Sequence, residues 1–283
     1  MNIESILAGL EIYDGKYKRE HIEAALKQKE EVIPHLIAIL EKVKDEPQNY
    51  IEDSDYQAHI YALMLLGHWR ETRAHQVIID LASLPEPIPD ELFGDIITEN
   101  LAVVLLQTCG GSIDKIKELA NNKDAYEFSR GAAITAITYA AIEGLITRED
   151  ALSFLGGLLT KGNAPEGSPF YDQLACSICD LYPEEVMDQV QNAYEQELID
   201  RVFVGIEDFQ AALKDGKEKC LADVRKELDR QSLDDIHKVM KDWVCFNDER
   251  AQPFTPEPKP PNIPNFSYQV APKQKKKKAF WEL

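Results

Sequence analysis

The chain has 283 residues, 44% hydrophobic and 29% charged, with 50 Asp and Glu against 31 Lys and Arg for a net charge of −19. That length is ample for a large core, and the composition is that of a soluble globular protein. A body this acidic repels phosphate backbones, which excludes general nucleic-acid binding by it and leaves basic partners as the natural complement.

Strand signals are nearly absent, because Val and Ile recur at helical spacing rather than in alternation. The expected fold class is all-α. The first residues carry Glu4 and Glu11 and no basic region, so they do not read as a secretory signal. The longest apolar runs fall far short of the about 20 residues that cross a bilayer. Cys109, Cys176, Cys179, Cys220 and Cys245 are scattered, as expected of reduced thiols in a cytoplasmic protein.

In chain order, residues 3–13, 21–29 and 32–44 read as three helices. Pro34 is expected in the first turn of the third, where its missing N–H costs nothing. They are expected to cap an array that follows. Residues 45–55 read as an acidic loop, with Ser54 or Asp55 capping the next helix. From there an apolar helix, a short break and an amphipathic helix recur four times: 58–67 with 74–84, 96–110 with 113–120, 132–144 with 151–160, and 174–181 with 186–194. The first helices end near Gly67, Gly110, Gly144 and Leu181, spacings of 43, 34 and 37 residues. That period belongs to a solenoid of antiparallel helical hairpins, none of which can bury its apolar face alone. Residues 85–89 read as a stiff break, 161–170 as the longest polar break, and Thr147 as an N-cap paired with Asp150. Two or three further helices fill 200–246. Ser232 is expected to cap the last, with Leu233, Ile236, Val239, Met240 and Val244 on its inner face.

Residues 247–283 differ in kind. They hold seven of the 15 prolines and read as an extended tail. Residues 251–283 carry six Lys against two Glu, a net of +4, which leaves −23 on the remainder.

The recurring apolar helix, Gly-containing break and amphipathic helix resemble HEAT-like repeats. The opening, with a helix ending at Tyr13-Asp14-Gly15-Lys16 followed by helices at His21 and at Val32-Ile33-Pro34, is similar to an uncharacterised bacterial HEAT-like family of unknown function. The resemblance covers residues 1–246 and implies an α–α superhelix. Members often end in a SEC-C zinc segment. The tail here keeps Lys275–Lys278 but has no Cys after Cys245, so that module is absent on this reading. The family brings no activity, and no catalytic residue carries over.

Few residues point to chemistry. Cys176 and Cys179 form a CxxC without two further ligands nearby and without the strand-to-helix context of a redox motif, so packing thiols are expected and no metal or cofactor. His59, His68 and His75, with Glu71, surround the first hairpin without the spacing that puts two ligands on one helix face. Acid pairs at Glu52/Asp53/Asp55, Glu86/Asp90/Glu91, Glu207/Asp208 and Asp234/Asp235 sit where acids cap helices. Trp69 and Arg70, at one hairpin turn, are residue types favoured as interface anchors. Lys275, Lys276, Lys277 and Lys278 precede Phe280 and Trp281, a basic–aromatic group suited to docking on an acidic groove of its own chain or of a second copy. The expected function is a scaffold that binds a peptide or basic protein through the solenoid groove. The rival is an enzyme or chromophore-handling protein with a site in that groove.

Overall fold

The computed structural model describes residues 1–246, apart from Ser54. The described residues are all-α, with 17 α-helices, short 3-10 turns and no strand beyond one isolated bridge between Ile12 and Tyr56. The tail, and with it Lys275, Lys276, Lys277, Lys278, Phe280 and Trp281, lies outside the described residues.

Helices α1 (Ile3–Glu11), α2 (Arg19–Lys27) and α3 (Lys29–Asp45) form the N-terminal cap. Helix α3 begins three residues before the expected start, so Pro34 falls inside it rather than in its first turn. Lys29, Glu30 and Glu31 are good helix formers, and the two acids favour the positive end of the helix dipole, which extends the helix upstream. The acidic stretch expected as a loop contains α4 (Pro47–Glu52), opened by proline at its first position.

Four hairpins follow: α5 (Ala58–His68) with α6 (His75–Ala82), α9 (Leu101–Thr108) with α10 (Asp114–Asn121), α11 (Glu127–Ile142) with α12 (Arg148–Leu158), and α13 (Pro169–Asp180) with α14 (Met187–Glu195). Between the first two hairpins, α7 (Ile88–Phe93) and α8 (Ile96–Glu99) occupy the expected break and the start of the expected second apolar helix, which is interrupted at Asn100. Asp55 does not cap α5, and Ser54 lies outside the described residues. The N-cap of α5 is Gln57, which makes no side-chain cap and instead donates from Nε2 to Ile12 O at 3.0 Å. Thr147 caps α12 through the Asp150 amide, as expected.

Successive first helices pack on one another, α5 on α9, α9 on α11 and α11 on α13. Second helices also meet, α6 with α10 and α12 with α14. Helix α3 closes one end by packing on both helices of the first hairpin. Arg148 ties neighbouring hairpins: its guanidinium donates to Leu181 O at 2.6 Å, to Tyr182 O, and to the Glu185 carboxylate.

The first helices are apolar on nearly every side. Nine of the eleven residues of α5 are buried, so packing against one layer of second helices is not enough. The other side is covered by a return segment, α15 (Ile206–Asp215), α16 (Lys217–Arg230) and α17 (Ile236–Met240), which runs back over the first helices. Helix α15 packs on α13, α16 on α13 and α11, and α17 on α5. Polar contacts tether it: Tyr139 donates to Gln231, His68 Nδ1 lies 2.7 Å from Leu233 O, and Tyr17 bonds to His237 at 2.7 Å. Leu233, Ile236 and Met240 are buried as expected, but Val244 is 72% exposed. Helix α17 ends at Met240 and the chain turns into the 3-10 segment Val244–Phe246, so the helical spacing that placed Val244 inside no longer applies. Asp235, not Ser232, caps α17.

Candidate binding cleft

Two short segments meet near the N-terminal cap and set the frame of a wide cleft. The amide of Tyr13 donates to Asp55 O at 2.7 Å and that of Gln57 to Glu11 O at 2.9 Å. This fixes Tyr56 and Ile60 at the entry of α5 beside Phe93 of α7 and Ile96 of α8. The end of the return segment closes the opposite wall with Val239, Trp243 and Phe246, giving a cleft of about 760 Å³.

Aromatic stacking holds these walls. Tyr56 lies parallel to the His59 ring with centroids 5.7 Å apart, and Phe93 meets His59 edge-on at 5.3 Å. Trp243 stacks on Phe246 at 5.9 Å, and Phe246 in turn stacks on Tyr61 at 6.2 Å. The Tyr13 hydroxyl donates to Cys245 O at 2.6 Å, joining the two sides. Offset and edge contacts of this kind fix ring orientation. Tyr56, Ile60, Trp243 and Phe246 are half-buried, so apolar surface remains in the cleft. Asp95, Glu99 and Asp242 stand on its rim against one cation, Arg230, which is itself paired with Glu227.

His59 is buried beneath this floor. Its Nε2 lies 2.6 Å from Leu92 O, so Nε2 carries the proton. Burial pulls its pKa down and keeps the ring neutral. His75 donates from or accepts at Nδ1 with Thr108 at 2.9 Å, and burial with help from Lys115 lowers it to about 4. His68 faces Leu233, and Glu71 takes Arg73. The residues around the first hairpin therefore go to separate partners rather than to one centre. Among the described residues no three His, Cys, Asp or Glu stand where they would hold a metal ion.

Trp69 is half-buried against the core as the C-cap residue of α5. Arg70 turns its guanidinium to Asp234 of the return segment at 3.2 Å and lines a smaller cleft of about 300 Å³. Asp208 accepts from the Gly205 amide and Asp235 from the Lys238 amide, the capping roles their positions imply. The CxxC lies on α13. Burial first, then Asp180, pushes Cys176 up to about 11 and Cys179 up to about 12, so both are thiols at neutral pH and poor nucleophiles. No helix among the described residues is long and apolar enough to cross a membrane.

The aromatic cleft itself was not visible in sequence. Its parts come from four separate stretches, and only the periodic apolar positions of the first helices carry a local signal.

The chain is 33% identical over 245 residues to an uncharacterized protein of Chlamydia trachomatis serovar D, covering 86% of this chain and 96% of that one. It is 33% identical over the same length to an uncharacterized protein of Chlamydia muridarum, covering 97% of that protein. No solved structure matches. The chain belongs to the family described as protein of unknown function DUF1186, which matches it over residues 1–247.

Proposed function

We propose that this protein is an interaction module that holds a peptide segment of a basic partner in the aromatic cleft. The observation that carries this reading is the pairing of half-exposed rings (Tyr56, Trp243 and Phe246) with an acidic rim of Asp95, Glu99 and Asp242. Aromatic anchors in a concave site supply affinity, and rim charges set partner sign and orientation. The occupant that fits is an extended segment with an aromatic or branched aliphatic side chain flanked by Lys or Arg. The body charge of −23 favours its approach and works against nucleic acid. The site differs from the solenoid groove expected from sequence. It lies where the return segment leaves the first helices uncovered.

The rival reading, catalysis or chromophore handling in the groove, calls for an accessible histidine among the Tyr, Trp and Asp of this cleft. His59 instead lies under Tyr56, bonded to a backbone carbonyl. The binding reading is tested by fluorescence anisotropy with a set of labelled peptides, Lys-rich with one central Trp, Leu or Glu. Micromolar binding of the Trp and Leu peptides is expected, weakened at least tenfold by Tyr56→Ala and by Asp95→Asn with Glu99→Gln together. Equal binding of the Glu peptide, or binding indifferent to both variants, overturns it.

A further inference from the structure

A third cleft, of about 350 Å³, lies between α11, α13 and α16. That is within the size range of small-ligand sites. Three carboxylates line it, and they are not alike. Asp223 is held by Lys219 at 2.9 Å and Lys226 at 2.8 Å. Glu227 is held by Arg230 and by the Gln231 side-chain amide at 2.8 Å. Asp180 has no cation within ion-pair distance among the described residues. It is also the last residue of α13, where the helix carries partial negative charge, and the last turn of that helix has no basic residue. An acid in that position is opposed by the helix dipole and by its neighbour Glu227, with no balancing cation among the described residues.

Two further polar groups are left open at the same walls. Ser177 is only 6% exposed, lines the cleft, and its hydroxyl makes no hydrogen bond among the described residues. The Gln173 amide nitrogen is buried without an acceptor. Buried polar atoms are nearly always satisfied, so the orphaned Gln173 nitrogen stands out, and beside it a carboxylate without a cation and a hydroxyl without a protein partner leave a place for a ligand. Gln173 reaches its place only because α11 has Gly131 there: a Cβ at that position would lie 1.4 Å from the Gln173 side-chain oxygen.

We propose that this cleft binds a primary ammonium group, with Asp180 as the carboxylate that receives it and Ser177 as a second acceptor. The ammonium group has three N–H donors, which suit a carboxylate and a hydroxyl oxygen. It would also face the carbonyl end of α13, where a cation is favoured. Gln173 offers a donor that ammonium cannot use, so a ligand that carries a carbonyl as well as an amine fits best, as a lysine residue does at the far end of its side chain. A free diamine shares the ammonium chemistry and lacks the carbonyl. The site is separate from the aromatic cleft and stands whether or not that cleft takes a peptide.

The surroundings give the site a pH signature. Burial first, then Glu227, pushes the Asp180 carboxyl up to about 6. Asp180 is nonetheless exposed at the cleft mouth, so water screens part of that effect. The other titratable groups facing the cleft do not change charge near that pH. Asp223 is held down to about 2 by Lys226 and Lys219, and Glu227 is lowered chiefly by Arg230. Tyr139 on α11 is raised to about 12 by burial, and Cys176 to about 11. Asp208, at the start of α15, does not line the cleft and accepts from the Gly205 amide. A proton and an ammonium group then compete for Asp180 alone.

The test is calorimetric titration of the full chain at pH 7.5 with 1,5-diaminopentane and, separately, with Nα-acetyl-lysine methylamide. Saturable binding is expected, at least tenfold weaker in Asp180→Asn and unchanged within twofold in the charge control Glu218→Gln. Affinity should fall as pH drops through 6. Binding of the lysine derivative alone, weakened by Gly131→Ala, assigns the site to a lysine side chain; binding of the diamine alone assigns it to a free amine. Circular dichroism confirms that each variant is folded, and slower alkylation of Cys176 with ligand present gives an independent readout. No binding of either amine at millimolar concentration, or wild-type affinity in Asp180→Asn, overturns the proposal.

Discussion

The first helices and the return segment that lies on them are built on opposite principles. In α5, nine of eleven residues are buried; in α16, two of fourteen, Val224 and Leu228. The first helices are rows of Leu, Ile, Val and Ala that must be covered on two sides. The return segment covers the second side with few apolar residues and holds on by polar tethers such as Tyr139 to Gln231 and Tyr17 to His237. A cover with so little apolar surface cannot follow the layer beneath it closely, and clefts open along its edges. Stability is thus expected to reside in the hairpins and recognition along the return segment.

The sharpest way to break that division is a matched pair of truncations. Leu65→Ala, in a fully buried position of α5, is expected to cost about 2–5 kcal/mol. Leu228→Ala, 8% exposed on α16, should cost less, about 2 kcal/mol or below. Urea unfolding of both measures it. Equal losses would mean that the return segment is part of the same core.

Next in size is the clamp between hairpins. Arg148→Met keeps the aliphatic stem and removes donors from Leu181 O, Tyr182 O and Glu185. A loss of about 2–3 kcal/mol is expected, because two carbonyls of a tight turn lose a charged partner. A loss under about 1 kcal/mol would show that water replaces the guanidinium freely.

The two regions also respond oppositely to pH. His75, in the hairpin core, has its pKa lowered to about 4, below the about 6.5 of an unfolded chain. The unfolded state binds the proton first, so stability is lost as pH falls from about 6.5 toward 4. Asp180, at the end of α13 where α16 of the return segment packs on that helix, is raised to about 6, above the about 3.9 of an unfolded chain. Here the folded state holds the proton longer, so stability is lost as pH rises from about 4 toward 6. Asp180→Asn should therefore stabilise the protein at pH 7 and steepen the net loss on acidification, while His75→Gln should flatten it. Denaturation midpoints between pH 4 and 7 decide both signs.

How much of this was legible depends on what marks each feature. The hairpin count was, because apolar helices announce themselves by period. Their ends were read less well. The chain leaves the four first helices through left-handed residues at Arg70, Gly110, Gly144 and Tyr182. Glycine adopts that conformation without strain, which made two of the four visible. Arg70 and Tyr182 carry no such mark. Gly67 misled in the other direction: it is inside α5, where a Cβ would stand 2.9 Å from Val104 and 3.0 Å from Leu233. It permits close packing rather than a stop. The return path of 206–240 was illegible because direction of packing leaves no local signature. The one global hint was that α5 and α9 are apolar on every face, which requires a second cover. The clefts follow from that path, so none was readable before it was known.

The smallest expected effect concerns Arg70, which joins the two regions directly. Its pair with Asp234 is 60% exposed on one side and 73% on the other, which limits its worth to about 0–1 kcal/mol. Arg70 also sits at φ +56, a left-handed conformation that costs a residue with a Cβ about 1 kcal/mol. The two terms have opposite signs in the wild type and separate in two variants. Arg70→Ala loses the pair and keeps the strain, so a loss of up to about 1 kcal/mol is expected. Arg70→Gly loses the pair and sheds the strain, so stability should return to near wild type. If Arg70→Ala instead costs about 2 kcal/mol or more, the tether is stronger than an exposed ion pair allows, and the return segment is held far more firmly than its buried surface implies. If both variants match wild type in stability yet weaken peptide binding, Arg70 acts as the partner contact its residue type and turn position first indicated.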